Sequence, residues 1–526
     1  MRISKLLHLP TIASLIMIAV ASLALPAAAA DTRPNLVIAV ADHPATLEPA
    51  KELSNVGTRI NYNIFDTLIR RDFLSQADGS GSKLVPGLAE SWKHIDDRTL
   101  ELKLRAGVKF HNGAPLTADD VVFTFSPERM TGADSKLPEG KGYFVVLDHI
   151  EAVDPLTVRF VTKKPDPLIE QRLSSWASWI VNKQDWLEKA KTDGGIPHFP
   201  VGTGPFKLAE YKTDQYIRLL ANDDYFGGKP TAASVTFRKV PEPAVRVAGL
   251  ISGEFDMITN VAPDQIEQIN GYPEIETRSV VLANSHVLAY NTHNPVLADK
   301  RVRQALGLAI DRKLLVDALW NGKAIVPKSH QYPEYGDMYD ASRPGFEYNP
   351  EKAKALLAAA GYKGEEITYS TQGNYSLNSV PAAQAIIEMW KAVGVNATLN
   401  VTETLDSMPL DQLMIRTWSN STRYPDPLGG VWASWGPYGA DQKTWKMWSS
   451  DKFNAIGTQL STEVDLPKRQ ALAKQLLDTW EDEAPGTILY QPLETYGIRK
   501  SLKWQPYTFY YMDLRPYNLT DTKAAK

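Results

Sequence analysis

The chain has 526 residues, 43% hydrophobic and 22% charged, with a formal net charge of −4 and no cysteine. That length exceeds what one hydrophobic core supports, so two or three domains are expected. The acidic balance argues against a nucleic-acid partner, and the absence of cysteine removes disulfides, thiol nucleophiles and cysteine metal sites.

The first feature in chain order is an export signal. Arg2 and Lys5 form a short positive region and 11–25 is almost wholly apolar. Pro26 then breaks the run ahead of Ala28-Ala29-Ala30, a small-residue cleavage site before Asp31. The apolar run falls short of the roughly 20 residues needed to cross a bilayer. Residues 1–30 are therefore expected to be a cleaved signal peptide. Losing Arg2 and Lys5 with no acid takes the charge from −4 to −6. A lipid anchor needs a Cys just after the signal, so the mature protein is expected free in the periplasm.

The mature sequence opens with an all-apolar strand over 36–40, which predicts burial on both faces. The loop after it carries Asp42, His43 and Glu48, and loops leaving central strands of open α/β sheets are where ligands are met. Leu100, Leu102 and Leu104 alternate with Glu101 and Lys103 as a half-buried strand. Thr117 opens a helix with Asp120 three positions on, so Asp119 and Asp120 are read as helix-terminal acids rather than a metal site. Val302, Ala305, Leu306, Ala309 and Ile310 share one helical face, and Asp311-Arg312 is expected to cap or pair locally. Asn349-Pro350 starts a helix that Gly361 ends, with Ala353, Leu356, Leu357 and Ala360 inward. A further helix carrying Ile386, Ile387 and Trp390 stops at Gly394. Val395, Ala397, Leu399 and Val401 then alternate as a strand. One more helix is predicted over 465–480, and strands over 487–490 and 496–499. Helix, glycine stop and strand in succession describe α/β layers.

The most concentrated feature is 416–448, which holds five of the 13 tryptophans. Trp418, Trp432 and Trp435 are interleaved there with Arg416, Ser421, Arg423 and Asp426 in a Pro/Gly-rich setting. Rings that supply contact area, beside charges that fix orientation, suit the wall of a ligand pocket. His286, Asn374 and Tyr375 are further candidates for that pocket.

Several short motifs follow one another in order: Ala89-Glu90-Ser91-Trp92, Phe110-His111-Asn112-Gly113, Thr117-Ala118-Asp119-Asp120-Val121 and Gly202-Thr203-Gly204-Pro205-Phe206. Asn222-Asp223-Asp224-Tyr225-Phe226, Arg301-Val302-Arg303-Gln304-Ala305-Leu306 and Ala309-Ile310-Asp311-Arg312 continue the series. Together they resemble the extracellular solute-binding proteins of the dipeptide/oligopeptide/nickel family, which serve ABC importers. The resemblance implies an α/β, two-lobed periplasmic binding protein fold with a discontinuous first lobe and a ligand cleft between lobes. It places lobe 1 at 31–283 plus 490–526 and lobe 2 at 284–489. It implies a monomer that closes on a small-molecule solute and hands it to ABC permease subunits at the inner membrane, with no cofactor. In peptide-binding members an Asp shortly after the Trp matching Trp418 holds the ligand's α-ammonium. Here Ser419, Asn420, Ser421 and Thr422 occupy those positions, and no acid comes before Asp426. Arg416 and Arg423 remain as forked carboxylate partners. A peptide-like or opine-like solute is expected, with a saccharide, a metal complex or a sensor role as alternatives.

Catalysis is not expected. The nine histidines are scattered, and no zinc-protease spacing, G-x-S-x-G elbow or phosphate-binding loop occurs. Nickel binding through His43 or His286 would rest on lone histidines.

Overall fold

The computed structural model describes residues 31–521, apart from 374, 406 and 407. Two large sheets organise it. The first has seven strands, in the spatial order Ile275–Val281, Leu493–Arg499, Met257–Ile258, Asn35–Val40, Ser234–Lys239, Tyr216–Ala221 and Phe206–Lys212. Asn35–Val40 is central and pairs in parallel with both neighbours, which is why its apolar run is continuous rather than alternating. The second sheet has five strands, ordered Ala397–Thr402, Ile367–Gln372, Ile415–Ser421, Asn284–Tyr290 and Gly486–Tyr490.

The chain passes from one sheet to the other at 282–283 and returns at 491–492. These crossings lie side by side: Leu282 N donates to Pro492 O (3.0 Å), and Gln491 Nε2 donates to Leu282 O (3.1 Å). The C-terminal segment then packs back on the first sheet's core, where Arg515 pairs with Asp66 (2.7 Å) and Asp513 (3.1 Å). A smaller antiparallel sheet of four strands, Ala89–Asp96, Thr99–Leu104, Thr157–Thr162 and Leu147–Asp154, joins the same core.

Local chemistry explains most element ends. Asp120 Oδ2 accepts from Thr117 N and Oγ1, both at 3.0 Å, and its Oδ1 accepts from Lys183 N at 2.9 Å. Its carboxylate is thus used by the starts of two helices, this one and Lys183–Ala190. Pro350–Ala360 begins at an Asn349 cap (Lys352 N to Oδ1, 2.9 Å) and ends at Gly361, whose φ of +76° an L-residue rarely adopts. Asp311 caps Arg312–Trp320 by accepting from Leu314 N at 2.9 Å. Arg312 pairs locally as expected, its Nη1 donating to Gly307 O (3.1 Å) and Ile310 O (3.3 Å), and does more besides. Its buried guanidinium reaches 176 positions along the chain to Ile488 O (2.6 Å), tying the helix to Gly486–Tyr490. Val401 departs from expectation: Ala397–Thr402 is the sheet's edge strand, and the side chain is 51% exposed.

The second sheet is buried on both faces. One face packs against the helices Lys300–Leu308, Arg312–Trp320 and Ser379–Ala392. The other packs against Asp451–Leu460 and Leu466–Glu483, and this second core takes Trp418, Trp435, Trp448 and Trp480. Among the described residues no helix is long and apolar enough to cross a membrane.

Candidate functional site: a polar seam between the lobes

Side chains alternate across a strand, so Ile415–Ser421 sends its residues to two different destinations. Arg416, Trp418 and Asn420 oppose Ala289, Val287 and Ser285 in register and face the aromatic core. Ser419 and Ser421 oppose His286 and Asn284 and face the other way.

On the aromatic side the tryptophans pack chiefly on one another. Trp435 is fully buried and meets Trp418, Trp448 and Trp480 edge-on, with centroids 5.0, 6.3 and 5.4 Å away. Its Nε1 donates to Asn420 Oδ1 at 2.7 Å. Trp418 also meets Trp445 edge-on at 4.7 Å, and the Arg416 guanidinium carbon lies 3.5 Å from the Trp445 ring centroid. Asp441, wholly buried beside Arg416, is pushed well above the usual carboxylate range by burial, with Arg416 opposing the shift. Trp432 differs from Trp435. It is half-buried, lies over Phe453 and lines a cleft between the lobes.

On the other side Ile415 and Thr417 stay inside the second lobe, and only the C-terminal end, Ser419 and Ser421, turns to the first lobe. Ser421 Oγ donates to Asn55 Oδ1 (3.2 Å), at the start of the helix Asn55–Ile64. Asn284 Nδ2 donates to Ser419 Oγ (2.7 Å) and to Tyr510 Oη (2.9 Å), the latter from the C-terminal segment. Beneath them Arg59 pairs with Glu494 at 3.3 Å, both nearly inaccessible. Glu494 also accepts from Asn260 N (3.1 Å) and Nδ2 (3.0 Å), and Arg59 Nη1 donates to Thr259 Oγ1 (3.3 Å). Burial raises the Glu494 carboxyl above its ordinary range, and Arg59 pulls against it. The Glu494 carboxylate is thus engaged by Arg59 and Asn260, so this acid is not free for a ligand ammonium.

Further along, Arg172 Nη1 donates to Tyr424 Oη (2.7 Å) and Ser175 Oγ to Arg423 O (2.5 Å), both between the lobes. The Arg423 guanidinium carbon stands 4.6 Å from the ring centroid of Tyr143.

Of the residues expected to meet a ligand, Ser421 and Arg423 reach across to the first lobe, and Trp432 lines the gap. Asp426 does not. It is 2% exposed, with Oδ1 accepting from Leu428 N (2.9 Å) and Oδ2 paired with Arg469 (2.7 Å) on Leu466–Glu483, so both oxygens serve the fold. Trp435 belongs to the core. His286 is also interior, packed on Trp320 and Tyr490, and burial alone lowers its pKa to about 4. Asp42 pairs with Lys239 (2.7 Å), and His43 Nε2 sits 3.1 Å from Phe237 O, which holds the 42–48 loop to the Ser234–Lys239 strand. Glu48 from the same loop is buried against Arg129 and Trp186. Tyr375 lies near Tyr510, and Asn374 falls outside the described residues. Among the described residues no group of three or more acids or histidines is placed to hold a metal ion.

Sequence reasoning missed Asn55, Arg59, Asn284, Glu494 and Tyr510. The run 507–511, with four aromatics, was the one visible signal for the last of these.

Two α/β lobes, joined by paired crossings and facing each other through polar side chains, define a periplasmic binding protein fold. The model for bacterial extracellular solute-binding proteins, family 5 Middle, matches residues 83–442, and the chain belongs to that family. It is 31% identical over 457 residues to the oligopeptide-binding protein AppA of Bacillus subtilis, covering 80% of each chain. The structure resembles the ABC transporter-associated periplasmic binding protein DppA of Helicobacter pylori, solved with the peptide STSA. That match has a TM-score of 0.81 at 23% identity and covers 93% of this chain and 99% of the other. It equally resembles AgaA from A. tumefaciens R10, solved with agropinic acid (TM-score 0.80, 23% identity, 93% and 98% covered). Relatives matched in sequence are named as dipeptide- and oligopeptide-binding proteins.

Proposed function

We propose that this chain is the periplasmic substrate-binding protein of an ABC importer, exported by cleavage ahead of Asp31. It closes its lobes, 31–283 plus 490–526 and 284–489, on a peptide-like or opine-like solute, and delivers that solute as a monomer to the membrane permease. The paired crossings at 282–283 and 491–492 are the natural hinge, because only there does the backbone run between the two large sheets.

The observation that carries the reading is the polar seam itself. Ser421, Asn284 and Ser419 face Asn55 and Tyr510, so hydroxyl and amide groups from both lobes converge where a solute would be enclosed. Contacts made only in the closed state supply the differential affinity that closure needs. The relatives named above bind an oligopeptide, the peptide STSA and agropinic acid. Ser421 stands near where a peptide receptor's Asp is expected, and Glu494 is occupied by Arg59 and Asn260. Amino-acid conjugates whose nitrogen needs no buried carboxylate therefore suit the seam at least as well as simple dipeptides.

Mass spectrometry of the compound released from purified protein by mild denaturation tests this. An amino-acid conjugate or short peptide is expected. A saccharide or a metal complex would sink the solute assignment, and the same solution scattering profile with and without solute would sink lobe closure.

A further inference from the structure

The cleft that Trp432 lines lies between the lobes. Its volume is about 290 Å³, and both lobes line it: Tyr143, Lys163 and Lys164 from the first, Arg423, Trp432 and Tyr438 from the second. The rims come close at Gly142 and Tyr438, where a Cβ added to the glycine would stand 3.5 Å from Tyr438 Cβ.

The charge of this cleft is one-sided. Among the described residues four cationic side chains line it and no carboxylate does. Arg172 is committed, to Asp166 (2.9 Å), Tyr143 O (3.0 Å) and Tyr424 Oη (2.7 Å). For Lys163, Lys164 and Arg423 no ion pair or side-chain hydrogen bond is found among the described residues. The Tyr143 ring covers one face of the Arg423 guanidinium and leaves its N–H edge available, the edge that receives planar oxyanions in a fork. Tyr143 is itself 2% exposed, and its buried hydroxyl has no hydrogen-bond partner among the described residues. Buried hydroxyls are ordinarily satisfied, so this one is a donor still to be matched.

We propose that this cleft takes an acidic group of the solute, a carboxylate or a phosphoryl group, between Arg423 and the Lys163–Lys164 pair, with Tyr143 as a hydroxyl donor. The inference rests on the solute-receptor reading above and narrows the solute to an anion. Because the cations come from both lobes, an anion between them attracts both at once and favours the closed state. Without one, like charges face each other across the gap.

Calorimetric titration of the mature chain tests the site, with agropinic acid as the carboxylate probe and inorganic phosphate as the phosphoryl probe. The wild type is expected to bind at least one of them, more weakly as salt is raised. R423Q and the double variant K163Q/K164Q are each expected to lose tenfold or more in affinity. Both lysines are exposed and Arg423 is only half-buried, so unchanged near-UV circular dichroism is expected to show the variants folded. Wild-type binding of neither probe, or wild-type affinity in both variants, overturns the proposal. Failure of the receptor reading looks different, as no solute released from wild type and variants alike. Failure of the anion site alone leaves the same solute bound to the variants as tightly as to the wild type.

Discussion

Ser421 Oγ and Asn55 Oδ1 meet 3.2 Å apart, a hydrogen bond between residues 366 positions apart in the chain and on opposite lobes. A hydroxyl here, where peptide receptors are expected to carry a carboxylate, sets the first expectation. Ser421→Asp places a negative charge in the seam close to where an α-ammonium would sit. A charge pair at about 4 Å in partly buried surroundings is worth a few kcal/mol before desolvation, roughly 1–3 kcal/mol after it. Affinity for a simple dipeptide is expected to rise at least tenfold by calorimetry. No gain would show that the seam does not hold the solute's amino end.

Asp426 serves the fold rather than the solute. Asp426→Ala leaves Arg469 buried without its partner, which costs about 3–5 kcal/mol. A large drop in the urea midpoint is expected, with solute affinity unchanged under conditions where the variant stays folded. A stable variant with lost affinity would reverse that assignment.

Trp435 and Trp432 are separable in the same way. Trp435→Ala empties the centre of an aromatic core and removes the donor to Asn420, for a loss of about 3–5 kcal/mol. Trp432→Phe is expected to be nearly neutral in stability yet to diminish the fluorescence change on solute binding, because Trp432 faces the inter-lobe cleft. An unaltered fluorescence response would place the solute elsewhere.

Acid should weaken the fold through three histidines, His286 and His330 buried and His111 half-buried. Burial lowers His111, His286 and His330 to about 4. Unfolded, each titrates near 6.5, so between those values the unfolded chain binds more protons. Their neutral burial is therefore harmless above about pH 6.5, and stability is lost as pH falls toward 4, by up to roughly 3 kcal/mol per histidine. Urea midpoints at pH 7.5 and 4.5 check this, and His286→Gln is expected to flatten the dependence. An equally steep dependence in that variant would exclude His286 as a contributor.

Much of the scaffold was legible because local signals agree with the fold. The apolar run at 36–40, the alternation Leu100-Leu102-Leu104 and the caps at Thr117 and Asn349 each specify an element by periodicity or by a satisfied backbone group. The local pairing of Arg312 was legible, but its bond to Ile488 O was not, because a long guanidinium also chooses among carbonyls distant in sequence. Asp426 was misread because a carboxylate beside tryptophans looks the same whether its partner is a ligand or Arg469.

The stretch 416–448 shows where the division falls. Its sequence determined that the chain would bring many tryptophans together, and that no acid would stand between Trp418 and Asp426. Only the tertiary structure decided which face of Ile415–Ser421 became the aromatic core and that the end of the other, Ser419 and Ser421, became seam. That choice depends on what each side is packed against: Trp435 and Leu466–Glu483 on one, Asn284, Tyr510 and Asn55 on the other. Strand periodicity assigns residues to two faces, but burial by distant segments decides what each face does.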